Sequence, residues 1–198
     1  MRQIRMSGMS IYTPAQVPTK ISQQDAKLIA TLHQIGVKHI ALPSDVEMSE
    51  LQMSPKVLLR SLAASHDPYI RPSLVLVLLL HPTYGLQAQS AVRSLNRRLN
   101  TTAATELKLY YQAASYLQGE YEVRIKAVLA EPAAWMQLPD YFSRDLGVTA
   151  ASSIGTDAKN IHAALTQLQN VHRQTTGMSY NYVAEYRGHV DLLLRYLS

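Results

Sequence analysis

The chain has 198 residues, 47% of them apolar and 17% charged, a composition that suits a globular core and excludes a disordered polyelectrolyte. Cysteine is absent, which excludes disulfides and thiolate metal sites and fits a reducing cytosol. The net charge of +5 permits a polyanionic partner without requiring one, and the longest apolar run, Leu74 to Leu80, is too short to cross a bilayer.

Residues 1–21 carry Arg2, Arg5 and Lys20 with no acid, interrupted by Pro14 and Pro18, and read as an irregular arm. Basic residues there have no continuous apolar stretch behind them, so no signal peptide is expected. Ser22 is placed to cap a helix over about 23–35, with Leu28, Ile29 and Leu32 inward and Gly36 as the stop. Val37 to Leu42 is short and apolar; an extended segment would have no partner strand, so a packed loop is expected. Ser44 to Met53 is acidic and fits a short helical turn. Ser54-Pro55 has the form of an N-cap followed by proline at N1, opening a helix with Val57, Leu58 and Leu62 on its core face.

Arg71 to Leu80 is ambiguous, because Ser73 to Leu80 shows no period. It suits a fully buried strand or a fully buried helix, and with no second strong strand to pair it a helix starting near Pro72 and ending before Pro82 is expected, packed on the central helix described next. Tyr84 to Leu99 reads as a helix with Ala88, Val92, Leu95 and Leu99 inward and Arg93 and Arg97 outward. The central element is a helix over about 101–131, capped by Thr101 or Thr102 and ended by Pro132. Leu107, Tyr110, Ala114, Leu117, Tyr121, Ile125 and Val128 form its stripe, and Glu106, Lys108, Glu120 and Lys126 are expected largely outside it.

Pro139-Asp140 opens a short helix with Tyr141, Phe142 and Leu146 as anchors, stopped by Gly147. Residues 148–156 are small and turn-rich. Two helices follow, Asp157 to Thr175 with Ile161, Leu165 and Leu168 inward, and Ser179 to Leu197 with Val183, Tyr186, Val190, Leu193 and Leu197 inward. Gly177 joins them as an antiparallel hairpin. The expected fold is therefore all-α: an irregular bundle of about seven to eight helices around a long central one, ending in a helical hairpin. One helical domain over 22–198 is expected, with a sub-boundary at 148–156.

Chemistry-bearing patterns are sparse. The seven histidines are scattered, with no two at metal-ligand spacing along a helix, and neither phosphate-loop glycine motif is present. No metal and no cofactor is expected. Arg60-Ser-Leu-Ala-Ala-Ser-His66 resembles the Arg-x4–6-His signature of HEPN-type helical ribonucleases, in which such a pair meets RNA phosphate. Composition alone gives about 1.3 such matches by chance and one is found, so Arg60 and His66 as catalytic residues form the alternative reading.

No acidic residue lies between Asp67 and Glu106, where Arg71, Arg93, Arg97 and Arg98 all fall. Arg93, Arg97 and Arg98 are candidate phosphate binders. No aromatic is interleaved with them for base stacking, and arginine is equally a residue of protein interfaces, so protein contact is favoured over nucleic acid. Twelve tyrosines stand against one Phe and one Trp. Tyr110, Tyr111, Tyr116 and Tyr121 cover several helix faces, which a single core-facing stripe does not accommodate. They are expected to pack with their hydroxyls at the core rim, with a Tyr-rich interface as the other reading. Gly119 and Gly188 fall inside helical patterns, where glycine costs about 1 kcal/mol relative to alanine; at least one is expected to mark a close crossing.

Two segments, Leu107-Lys-Leu-Tyr-Tyr-Gln-Ala-Ala-Ser-Tyr-Leu-Gln118 and Leu138-Pro-Asp-Tyr-Phe-Ser-Arg-Asp-Leu-Gly147, resemble stretches of an uncharacterised family of bacterial helical proteins. The apolar Arg71–Pro82 stretch ending in His-Pro is similar as well. The resemblance covers about the C-terminal two-thirds of the chain and brings no catalytic motif. That family is associated with genes beside small nucleotidyltransferase-like proteins, which implies an accessory or partner role. The reading that follows is a non-enzymatic cytoplasmic interaction protein with a protein partner or a second copy of itself, and no membrane. The alternative is an RNA-binding or HEPN-like ribonuclease domain.

Overall fold

The computed structural model describes residues 22–42, 53–128 and 135–197, and they form an all-α fold with no strand among them. Its helices are α1 (Gln23–Gln34), α2 (Pro55–Ala64), α3 (Ser73–Leu80), α4 (Ala88–Arg97), α5 (Thr101–Val128), α6 (Ser143–Leu146), α7 (Ala158–Thr176) and α8 (Tyr182–Leu197), with 3-10 turns at Pro82–Gln87 and Ala151–Ser153. The N-terminal arm, the acidic 44–53 turn except its last residue, and the end of the central helix at Pro132 lie outside the described residues, as does the side chain of Leu197.

Local chemistry sets the helix limits. The Ser22 hydroxyl accepts from the Asp25 N–H at 3.0 Å, and Gly36 takes φ +85° just past α1. Asp157 caps α7 by accepting from the N–H groups of Lys159 and Asn160, and Gly177 at φ +69° closes it. Asn100, rather than Thr101 or Thr102, caps α5, its Oδ1 accepting from the Ala103 N–H at 3.1 Å. The fourth helix begins later than its apolar pattern, because Pro82 to Gln87 adopt a tighter 3-10 turn first. Asp140 starts a turn rather than a helix: its carboxylate takes the Ser143 N–H and hydroxyl, and α6 spans only Ser143–Leu146.

α5 is the axis. α3, α4, α7, α2 and α8 all pack on it, and the whole of α3, Ser73 through Leu80, is buried. The absence of a period in that segment follows from this placement, since a helix covered on every side needs no polar face. Being surrounded also changes α5 itself. Beyond the stripe, Leu109, Tyr111, Ala113 and Tyr116 are buried too, so Tyr110, Tyr111, Tyr116 and Tyr121 all point into packed surroundings despite lying on different faces. Tyr111 and Tyr116 donate to the carbonyls of Pro139 (2.9 Å) and Thr149 (2.5 Å), which satisfies two of those hydroxyls at the core rim. Burial pushes the Tyr116 hydroxyl up to about 12.

Leu99 departs from its pattern. α4 stops at Arg97, and the Asn100 N–H turns back to the Leu95 carbonyl at 3.1 Å. Leu99 thereby occupies the left-handed position that closes a helix, with φ +58°, and its side chain swings out to 88% exposure. A leucine there costs about 1–2 kcal/mol relative to right-handed backbone.

The two interior glycines separate cleanly. A Cβ on Gly119 would stand 3.3 Å from the Gly155 carbonyl oxygen and 3.6 Å from Ile161 Cδ1, so the loop before α7 and α7 itself sit close over α5 there. A Cβ on Gly188 would meet nothing within 4 Å. Gly119→Leu should therefore destabilise the fold by about 1–3 kcal/mol through overpacking, while Gly188→Ala should stabilise it by up to about 1 kcal/mol. Urea unfolding of the two variants checks this, and stabilisation by leucine at 119 would remove the close crossing from the account.

Candidate functional site

Two regions concentrate chemically capable side chains, one buried and one exposed. The buried one centres on Glu106, which is only 2% exposed, contrary to its expected outer position on α5. Its Oε1 accepts from Arg71 Nη1 at 3.1 Å and its Oε2 from His172 Nε2 at 3.0 Å. With Nε2 donating to the carboxylate, His172 Nδ1 is left to accept the Tyr186 hydroxyl at 2.6 Å. Arg71 turns its remaining donors to the Ser65 carbonyl (Nη2 at 2.6 Å), and the Ser65 hydroxyl donates to Asp25 Oδ1 at 3.0 Å. Tyr182 stacks on the His172 ring at 3.6 Å between centroids, and Tyr110 meets it edge-on at 5.4 Å. One polar chain thus ties α1, the end of α2, the entry to α3, α5, α7 and α8 together.

A tyrosine–histidine–carboxylate alignment has the connectivity of a proton relay. Here burial decides against catalysis: His172 is 1% exposed, Tyr186 0% and Tyr182, which roofs the imidazole, 4%. Substrate has no route to the imidazole, so the network positions helices and satisfies buried polar groups. Beside it, Glu185 has a buried Oε2 with no partner. Burial, then the Glu106 charge, push its carboxyl up to about 7, with Arg71 opposing.

A shallow cleft of about 490 Å³ lies where Gly119, Tyr116 and Ser115 of α5 face Asp140, Gly155 and Ile161. The one carboxylate there is already committed to Ser143, so the cleft offers no free acid or base at that position. Among the described residues, no group of three or more His, Asp or Glu side chains is disposed to hold a metal ion, and no helix is long and apolar enough to cross a membrane.

The residues singled out from the sequence are distributed as follows. Arg60 is half-buried on α2, and His66 is exposed in the segment after it. No hydrogen bond or ion pair joins them, and neither lines the Gly119 cleft. Arg93, Arg97 and Arg98 are all exposed at the outer face and end of α4. Elsewhere the half-buried Lys108 pairs with Asp145 at 2.7 Å and Arg187 with Glu120 at 3.0 Å, and the exposed Arg124 pairs with Asp191 at 3.2 Å, whereas Lys27, Lys38, Arg144 and Lys159 are exposed cations with no ion pair among the described residues. No such ion pair involves the three arginines of α4 among the described residues. Leu99 follows Arg97 and Arg98 directly, so two guanidinium groups without an ion pair among the described residues and an outward leucine share the end of the helix, with Arg93 one turn before Arg97.

Sequence spacing carried a usable sign of the buried network. Glu106 lies four residues before Tyr110, His172 four after Leu168, and Tyr186 three after Val183, so all three fall on apolar stripes. A scan against protein-family models, a search of curated proteins and a search of solved structures each found no match to the chain.

Proposed function

We propose that the chain is a non-enzymatic, cytoplasmic interaction protein that docks an acidic protein partner on the end of α4. The observation that carries this is Leu99, held at φ +58° and 88% exposed directly after Arg97 and Arg98. The left-handed backbone closes α4, but nothing in the turn requires a leucine side chain there, and its apolar exposure beside exposed positive charge suits an interface with an apolar centre and a charged rim. A nucleotidyltransferase-like chain is the partner that the sequence resemblance implies. Burial of the best-aligned acid–base groups supports the non-enzymatic part of the reading.

Affinity purification from the native host with quantitative mass spectrometry tests it, comparing the wild type with Arg97→Glu/Arg98→Glu and with Leu99→Gly. An acidic protein enriched on the wild type should be lost from both variants. Leu99→Gly should at the same time raise thermal stability, because glycine adopts the left-handed conformation freely. Identical protein profiles for all three would overturn the proposal. Anisotropy with a single-stranded RNA probe separates the alternative. Steeply salt-dependent binding that disappears with Arg93→Glu/Arg97→Glu/Arg98→Glu would make the face an RNA-binding one. RNA cleavage abolished by Arg60→Ala or His66→Ala would establish the ribonuclease reading.

A further inference from the structure

His39 and His189 come from opposite ends of the chain and meet edge to face, their ring centroids 5.7 Å apart. His39 belongs to the loop after α1 and His189 to α8, so their contact is part of the seam between that loop and the last helix. His39 Nε2 contacts the Ser73 hydroxyl at 3.2 Å, while its Nδ1 is buried without a hydrogen-bond partner, the Tyr69 backbone lying nearby. His33 on α1 stitches the same loop from the other side through its Nε2 and the Ile40 carbonyl at 2.6 Å. Neither His39 nor His189 is ion-paired among the described residues.

The geometry points to an acid-sensitive latch: His39 and His189, uncharged and in contact, hold the 37–42 loop against α8, and their protonation releases the loop from the helix. Two imidazolium ions at this separation in a half-buried seam would repel each other and lose hydration together. Burial already holds His39 down to about 3, with His189 and His33 adding to the effect, and burial lowers His189 as well. The surrounding charges give no relief. From the entry to α3, Arg71 is bound to Glu106 and to the Ser65 carbonyl. From α5, Glu106 is taken by Arg71 and His172. Glu185, one turn before His189 on α8, has its carboxyl pushed up to about 7, so it carries its proton at the acidic pH where the imidazoles would charge. Lys38, next to His39 in the loop, is a further cation.

The test is hydrogen–deuterium exchange of the full chain at pH 7.5 and 5.0, corrected for intrinsic rates. Protection in peptides covering 35–42 and 182–195 should fall tenfold or more at pH 5.0, with α3 and the buried part of α5 unchanged. His189→Gln and His39→Gln, checked for folding by circular dichroism at pH 7.5, should each abolish most of that fall. Should either variant fail to fold, an NMR titration of the wild-type imidazoles answers the same question. Both rings should titrate well below an ordinary histidine, because the closed seam disfavours their charged forms, while closure weakens from the pH at which a released imidazole of ordinary 6.5 takes up its proton. Protection that is the same at both pH values, a loss that survives both substitutions, or ordinary titration of either ring would overturn the latch.

Discussion

Glu106→Ala should cost about 3–5 kcal/mol of stability, because it leaves the other members of a buried charged network without their common acceptor. Arg71 Nη1 and His172 Nε2 both donate to this one carboxylate. Its removal uncouples the α3 entry from α7 and exposes the His172–Tyr186 pair to a cavity. Glu106→Gln should cost less, since one amide oxygen can still accept from either donor. Urea unfolding of both variants, with unchanged dependence on denaturant, gives the measurement. A loss under about 1 kcal/mol for alanine would mean that the network contributes no more than an exposed ion pair.

Glu185→Gln should act in the opposite direction and depend on pH. The folded carboxyl is raised to about 7 from an ordinary 4.5, by burial first and by Glu106 second. A carboxyl raised in the folded state contributes its full stability below about pH 4.5 and loses it as pH rises through 7. Glutamine never ionises, so the variant should gain on the wild type across that window, by up to about 3 kcal/mol at pH 8 given roughly 1.4 kcal/mol per pH unit. Below pH 4.5 the difference between the two should be constant. Denaturant midpoints at pH 4, 6 and 8 decide it, and a gap independent of pH would place the Glu185 carboxyl in water.

What was legible in the residues was local. Ser22, Gly36 and Gly177 each act through contacts within a few residues, and the structure has the cap, the stop and the joint where their chemistry places them. The burial of the unpatterned Ser73–Leu80 segment was legible in its lack of a period, while its helical form followed only from the want of a second strand to pair with it. What escaped the sequence was non-local. Glu106 meets partners 35 and 66 residues away, and a charge count along one helix carries no information about them. The His39–His189 contact spans even more of the chain. Leu99 failed for a different reason: its i, i+4 relation to Leu95 extends an apolar stripe, yet the α4–α5 turn needs a left-handed residue at that position, and turn geometry overrode periodicity. The candidate interface was visible as an acid-free stretch bearing arginines. Its apolar centre was not, because the i, i+4 spacing from Leu95 places Leu99 on the core face.

The complete enclosure of α3 has a consequence during synthesis and refolding. Leu74 to Leu80 is an uncharged, β-branched and leucine-rich heptad that is shielded only when the surrounding helices have closed over it. Until then it has the composition of a segment prone to stack as cross-β with copies of itself. The residues bounding it act against that outcome: Arg71 and Pro72 precede it and Pro82 follows within two residues, a charge and two strand-breaking rings that interrupt any extended ladder. Because Arg71 is also tied to Glu106 and Pro72 and Pro82 are buried, the residues that guard the segment before folding are held in place by the fold they protect, and substituting them would lower both the yield of soluble protein and the stability of the folded molecule.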